Sequence, residues 1–267
     1  MKALVKGWIY QQFDADLSLE YPGEGYTGWI QKEFPLDWDH TAVVVMHAWD
    51  VGTPEQVPAQ YRVCEYVPRS TRIIREEFPA FLEAVRKSGV KLIHVGSQTE
   101  TSLETLPGYR RTVEKWGVDP EPLPRIRGNE ALAELHRLRA VYGFPGNHNV
   151  SGVDQSRQLR DFAIMPEDRE DVVATTHQLF QLCREQEIYH LIYTGFCINA
   201  CLTLSPCGMF DMSRRGVMCS IVRDLTTAVE NRESCREERH KEYGLWAFSL
   251  WGGFVFDREA LEDALKD

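Results

Sequence analysis

The sequence has no long hydrophobic run. None of its 267 residues belongs to a stretch that approaches the roughly 20 apolar residues of a membrane-spanning helix. The opening segment, "MKALVKGWIYQQFDADL", soon becomes polar and acidic, and it has neither a continuous apolar core nor a small-residue cleavage site. We therefore expect a cytoplasmic protein that makes no use of a membrane.

Positive charge is also scarce. The chain has 30 Lys and Arg against 40 Asp and Glu, which gives a formal net charge of −10. A surface for nucleic acid or anionic lipid needs clustered Lys and Arg, so we expect neither partner. A hydrophobic fraction of 43% is typical of a globular protein with a sizeable core.

Two further absences concern the organisation of the chain. There is no repeat, no low-complexity segment and no Ser/Gly linker, so we predict a single domain over residues 1–267. The cysteines number seven, which is odd, and most are scattered in apolar surroundings. This pattern indicates reduced thiols and excludes a disulfide framework.

Short β-rich segments alternate with helical patterns along the chain. We predict strands at 41–46, 90–96, 159–166, 189–195 and 216–224, and the clearest helices at 70–89 and 172–187. This alternation predicts an α/β fold with a mainly parallel sheet and helices on both faces. Outside it we expect an N-terminal extension (1–40), an irregular insert (97–150) with a helix near 129–143, and a helical C-terminal extension (230–267).

Cys201 is the first candidate for chemistry. It lies six residues after Gly195, at the start of a helical pattern over 200–214. Unpaired N–H groups there would favour a thiolate and could stabilise an oxyanion. Alternatively, Cys201 is a small core residue. A metal site with Cys197 and Cys207 is a weaker alternative, because no histidine lies nearby to complete it.

The segment "LIYTGFCINACLTLSPCGMFDMSRRGVMCSIVRDLTTA" resembles the signature of the isochorismatase-like cysteine hydrolases, which include nicotinamidase and N-carbamoylsarcosine amidase. The matching positions are Gly195, Cys201, Gly216 and Asp224. "TAVVVMHAWD" is similar to the first strand of that family. The resemblance implies a nucleophilic Cys201, a small amide or related carbonyl substrate, a cis peptide bond between Phe196 and Cys197, and assembly into dimers to tetramers.

The chain departs from this family at two catalytic positions. The family has an Asp at the end of the first strand and a Lys before the helix that precedes the cysteine strand. Alignment places His47 at the Asp position and Asp168 near the Lys position, and no lysine lies between Lys115 and Lys241. One hypothesis is a Cys-His-Asp arrangement of Cys201, His47 and Asp168 in one cavity.

Two alternatives remain open. In one, the protein is a catalytically silent homologue that binds a small molecule or a partner. In the other, it is a thiol sensor that uses Cys197, Cys201 and Cys207.

The pocket around Cys201 would need residues to bind a small-molecule substrate. Candidates are Trp49, Asp50, Phe196, Cys197 and Asn199. His47 and Asp50 could contribute to a metal site, since nicotinamidases carry a metal bound by Asp and His. The matching Asp-x-His sequence is absent after the first strand, so we predict no metal and no cofactor.

Overall fold

The computed structural model describes residues 2–97, 100–118, 126–143 and 161–266. Its strands are β1 (Lys2–Gln11), β2 (Gly28–Asp37), β3 (Thr41–Met46), β4 (Trp49–Asp50), β5 (Lys91–Val95), β6 (Asp161–Phe162), β7 (Asp171–Val173), β8 (His190–Phe196), β9 (Met218–Thr227) and β10 (Val255–Phe256). Its helices are α1 (Pro58–Val63), α2 (Tyr66–Glu76), α3 (Phe78–Ser88), α4 (Pro107–Trp116), α5 (Glu130–Tyr142), α6 (Thr176–Glu185), α7 (Cys201–Leu204), α8 (Met209–Ser213), α9 (Arg239–Trp251) and α10 (Arg258–Ala264).

The main sheet has the strand order β2-β1-β10-β9-β8-β3-β5-β7. The strands from β10 to β7 are parallel to one another, while β1 is antiparallel to both β10 and β2. Helices cover both faces of the sheet. The structure therefore confirms the expected fold class, a single α/β domain with a mostly parallel sheet.

The centre of the sheet is the β-branched run of β3. All six of its residues are buried, as expected of a strand covered on both faces. Ala42, Val44 and Met46 contribute to one hydrophobic cluster. Val43 and Val45 contribute to the other cluster, with apolar residues of α3. The alternation of side chains along β3 thus builds both halves of the core.

The predicted third strand, 159–166, is wrong. Residues 159 and 160 lie outside the described residues, and β6 is a short strand that pairs with β4 in a separate two-stranded ladder. The strand that pairs with β5 in the main sheet is β7, part of which was predicted as helix. The helix begins only at Thr176, after a capping box formed by Thr175 and Gln178.

The two terminal extensions take part in the sheet. The N-terminal segment supplies the hairpin of β1 and β2, which extends the sheet beyond β10. The C-terminal segment adds β10 between two helices, so it is not wholly helical as expected. In the described part of the insert, α5 lies within the predicted helix at 129–143 and buries none of its residues.

The helix predicted at 70–89 is two helices, α2 and α3, which meet at Glu77. Pro79 follows in the first turn of α3, where its missing N–H costs no helical hydrogen bond.

His190, at the start of β8, is a buried polar residue of the sheet. Its Nε2 atom lies 2.7 Å from the Ser220 hydroxyl, which also accepts a hydrogen bond from the Phe254 N–H at 2.9 Å. Burial lowers the pKa of His190 to about 4, because the charged imidazolium would lose its hydration. The folded protein therefore holds this histidine neutral at neutral pH.

The lowered pKa of His190 predicts that the protein loses stability in acid. The unfolded chain binds the proton near pH ~6.5 but the folded chain only near pH 4, so its contribution is complete above pH ~6.5 and lost towards pH 4. The loss should be about 3 kcal/mol of unfolding free energy between pH 7 and pH 4. His190→Asn can still bond to Ser220 but cannot titrate. Urea unfolding across this range should show a smaller acid loss in the variant, and equal losses would contradict the prediction.

Candidate active site

The candidate site lies where β3 and β8 end side by side. These two parallel strands pair from Thr41 with His190 to Met46 with Gly195. His47 directly follows β3, and the turn that leads to Cys201 follows β8. The sheet therefore brings both sequence-predicted positions to the carboxyl edge, where active sites of such folds lie.

Cys201 is held by a tightly bonded turn. The Phe196–Cys197 peptide bond is cis, as the resemblance implied. The N–H of Ile198 donates to the carbonyl of Thr227 at 2.8 Å, and the N–H of Leu202 donates to the carbonyl of Cys197 at 3.1 Å. These bonds attach the turn to the end of β9 and fix where the following helix begins.

Asn199 fastens the same turn a second time. Its Nδ2 donates to the carbonyl of Val229 at 2.8 Å, and its Oδ1 accepts from the N–H of Val229 at 2.9 Å. Both ends of the amide are thus bonded to one backbone residue. Asn199, which we expected to bind substrate, holds the turn through these two bonds and also lines the cavity beside the turn.

Cys201 opens α7 and is partly exposed, packed against the core cluster that includes Ile198 and Leu202. Because α7 is only one turn long, its dipole is small, and local N–H groups matter more. None of the backbone hydrogen bonds described for this turn uses the N–H of Cys201. That N–H is the candidate oxyanion donor that the sequence pattern suggested.

Five of the six other cysteines are less accessible than Cys201. Cys197 and Cys207 are buried, and burial raises the pKa of both thiols. Cys235 is partly exposed like Cys201. The thiol-sensor hypothesis requires accessible thiolates at Cys197 and Cys207, so this burial disfavours it.

His47 is buried at the end of β3. Its backbone has a φ of 53°, an uncommon value for a residue with a side chain, and its N–H donates to the carbonyl of Val95 at 3.2 Å. The imidazole stacks on the indole of Trp49, with ring centroids 4.6 Å apart and an interplanar angle of 14°. Trp49, a predicted substrate-binding residue, therefore forms one wall around the predicted base.

Glu100 is a residue at this edge that the sequence did not reveal. It is only 6% exposed and follows β5, the strand next to β3. Its carboxylate accepts hydrogen bonds from the indole N–H of Trp49 and from the backbone N–H of Ser97 at 2.6 Å. An acidic residue shortly after a central strand was the available signal, but it belongs to no motif.

Asp168 does not lie at this edge. It precedes β7, and its carbonyl accepts a hydrogen bond from Arg111 at 2.6 Å. Two strands, β3 and β5, separate β7 from β8, which at about 4.8 Å per strand puts β7 about 14 Å from β8. The alignment failed because β7 was counted as helix. The residue that follows β7 at the carboxyl edge is Ala174.

A buried ionic network occupies the region near Asp168. Glu170 accepts hydrogen bonds from His94 Nε2 at 2.8 Å and from Arg86 Nε at 2.7 Å. Burial alone would raise the pKa of Glu170, but these donors lower it to about 2. Burial lowers the pKa of His94, whose neutral ring can donate to this carboxylate. The network joins α3, β5 and the start of β7, and it serves the fold.

The remaining substrate-binding candidates have structural contacts. Asp50 lies in the ladder with β6, and its Oδ1 accepts from the N–H of Gly52 at 2.8 Å. Phe196 and Cys197 are buried in the core. Next to the cysteine turn is a cavity of about 420 Å³, lined by Tyr66, Asn199, Ala200, Val229, Glu230, Asn231 and His240.

Within the described residues, no group of three His, Cys, Asp or Glu side chains is arranged to hold a metal ion. In the same residues, no helix combines the length and apolar character that a membrane crossing requires.

No protein-family model and no curated protein sequence matches the chain. Among solved structures, a cysteine hydrolase from Pseudomonas syringae pv. phaseolicola 1448A is similar, with a TM-score of 0.50 and 12% identity over 87% of this chain and 95% of that chain. An isochorismatase-like hydrolase from Alkaliphilus metalliredigens has a TM-score of 0.47 and 15% identity over 84% of this chain and 98% of that chain. The likeness to the Pseudomonas syringae protein shows that this chain has the fold of a cysteine hydrolase, in agreement with the sequence resemblance to the isochorismatase-like cysteine hydrolases.

Proposed function

We propose that the protein is a hydrolase that cleaves a small amide or a related carbonyl compound, with Cys201 as nucleophile and His47 as general base. The observation that carries the proposal is the pairing of β3 with β8 up to Met46 and Gly195. This pairing puts a histidine and a partly exposed cysteine after the ends of neighbouring strands. Cysteine with histidine is a combination sufficient for acyl transfer.

The proposed reaction begins with transfer of the Cys201 thiol proton to His47. The thiolate attacks the substrate carbonyl carbon, and the carbonyl electron pair moves to oxygen, where the N–H of Cys201 donates a hydrogen bond. The imidazolium then protonates the leaving nitrogen as the C–N bond breaks, which leaves a thioester. His47 deprotonates a water molecule, which attacks the thioester carbonyl; the C–S bond breaks to release the carboxylic acid, and the imidazolium returns its proton to the Cys201 sulfur.

A silent homologue is the second candidate. The observation that favours it is Ala174, which occupies the carboxyl end of β7, where the resemblance implies a catalytic lysine. Thr175, the next residue, is engaged as the N-cap of α6. Loss of one member of a catalytic triad commonly costs several orders of magnitude in rate, so a binding role would be the remaining function.

We also propose that the protein forms homo-oligomers and is located in the cytoplasm. Both come from the sequence, the first from the resemblance and the second from the absence of long apolar runs. Light scattering after size exclusion would measure the assembly directly.

The proposed pairing of Cys201 with His47 predicts the pH dependence of alkylation at Cys201. In a Cys235→Ser background, iodoacetamide labelling followed by peptide mass spectrometry reports on Cys201, because the five other thiols are buried. If His47 activates the thiol, labelling persists below pH 7. His47→Ala should then slow labelling at pH 6.5 about tenfold or more and move the profile towards pH ~8.5, as for an ordinary thiol.

Asp168→Ala is the matched control for this experiment, because Asp168 lies away from the edge and should leave the profile unchanged. Superimposable profiles for the parent and His47→Ala would contradict the proposed pairing and support the silent homologue.

A second prediction concerns the charge of the substrate. The cavity beside the turn is not lined by Cys201 or His47 themselves; its described lining includes Glu230 and His240 but neither Lys nor Arg. An anionic substrate would be unpaired there, whereas a neutral amide would not. Iodoacetamide is neutral and iodoacetate is anionic, so the ratio of their labelling rates at Cys201 measures this preference.

Cys235 of the same protein provides the internal control, because it is also partly exposed and its near neighbours in sequence carry both signs of charge, Arg232 and Arg236 beside Glu233 and Glu237. We expect the ratio of iodoacetamide to iodoacetate rates to be about fivefold or more higher at Cys201 than at Cys235. Equal ratios at the two cysteines would show that the site does not select against negative charge.

A further inference from the structure

The side chains of Glu100, Trp49 and His47 form a contact chain that leads from a carboxylate to the imidazole. Glu100 accepts from the indole N–H of Trp49 through Oε1 and from Ser97 through Oε2, with the Ser97 N–H at 2.6 Å and its hydroxyl at 2.9 Å. The indole of Trp49 in turn stacks on His47, with centroids 4.6 Å apart. Trp49 thus contacts both Glu100 and His47.

The strand ends hold this chain in place. β3 and β5 pair in register up to Met46 and Val95, so the segments that follow them leave the sheet at the same level. His47 and Trp49 belong to the first segment, and Ser97 and Glu100 to the second. The hydrogen bond between Trp49 and Glu100 therefore crosses between two segments that rigid strands position.

We propose that Glu100 is a positioning residue for the proposed reaction and that it acts through Trp49. Its carboxylate fixes the rotamer of the indole, and the indole face fixes the plane of the His47 imidazole. The inference rests on the proposed use of His47 as the base. In a Ser-His-Asp triad the carboxylate bonds to the imidazole directly, whereas here an indole lies between them.

This arrangement also favours the protonated form of the base. A cation is attracted to the face of an indole, and the negative charge of Glu100 lies at the N–H edge of the same ring. Both effects stabilise the imidazolium that forms when Cys201 gives up its proton. A carboxylate that accepts a hydrogen bond from the indole N–H increases the electron density of the ring. This strengthens the attraction of the imidazolium to the indole face.

Other titratable groups occur on the elements around His47. Cys197 and Cys201 follow β8, and Asp50 follows Trp49 with its Oδ1 on the N–H of Gly52. Glu65 precedes α2, and its carboxylate accepts from the N–H groups of Tyr66 and Glu230. Glu100 differs from these groups because it shares a contact residue with the imidazole.

The test compares Trp49→Phe and Glu100→Gln with Glu65→Gln in the full-length protein. Trp49→Phe keeps a ring face but removes the N–H, and Glu100→Gln removes the charge with little change in shape. Glu65→Gln is the control, since Glu65 also accepts backbone hydrogen bonds but does not bond to Trp49 in the described contacts. The readout is the titration midpoint of the His47 imidazole, followed by NMR of protein labelled with ¹³C-histidine and assigned with His47→Ala.

We expect the midpoint of His47 to fall by about 0.5–1 pH unit in Trp49→Phe and Glu100→Gln and to stay unchanged in Glu65→Gln. Iodoacetamide labelling of Cys201 at pH 6.5 should slow about three- to tenfold in the same two variants. A purely structural role would lower the melting temperature without moving the midpoint. If Glu100→Gln does not fold, Trp49→Phe decides alone, because Glu100 keeps its Ser97 donors in that variant.

The outcomes separate this inference from the proposed function. An unchanged His47 midpoint in Trp49→Phe overturns the role of Glu100, even if His47→Ala slows the labelling of Cys201. Conversely, a midpoint that moves while His47→Ala leaves labelling unchanged supports the contact chain and overturns the proposed catalytic pairing.

Discussion

The close approach of β8 to β3 at Gly195 is the constraint on which the candidate site depends. A Cβ atom at this position would lie 1.9 Å from the carbonyl oxygen of Met46, and the φ of 114° also favours glycine. The neighbouring Thr194 hydroxyl donates to the carbonyl of Val44 at 2.8 Å, and the Thr226 hydroxyl donates to that of Gly195 at 2.8 Å. Because the strands meet this closely, His47 and the cysteine turn leave the sheet side by side.

Sequence patterns predicted the buried strands at the centre of the sheet, but they missed the short strands and the ten-residue strands β1 and β2, which are only partly buried. The run of β3 is six residues of one character, so it can be recognised without its neighbours. β7 has three residues and β10 has two, which is too few to show a period. Pairing with β5 and β9 makes these segments strands, and that information is not local. The misplacement of Asp168 follows directly, because it was counted from a helix that had absorbed β7.

The same distinction applies to the side chains of the site. Cys201 and His47 could be found because each stands at a fixed distance from a recognisable strand. Glu100 could not, because its role depends on the indole of Trp49, which meets it only in the folded chain. Asn199 is a second case: no pattern in the sequence indicated that its amide bonds to the Val229 backbone on both sides. Partners, not residue type, decide what a polar side chain does.

The two departures from the family pattern are chemically consistent with each other. A nearby lysine keeps an aspartate base ionised, because the cation favours the charged carboxylate. A lysine near a histidine base would make that base weaker, because a neighbouring cation disfavours the imidazolium that forms during proton transfer. On the proposed mechanism, a chain with His47 at the end of β3 is better served by Ala174 than by a lysine at the end of β7. The buried carboxylate of Glu100 supplies the opposite charge, which an imidazolium can use. On the proposed mechanism, a histidine base therefore needs no neighbouring lysine.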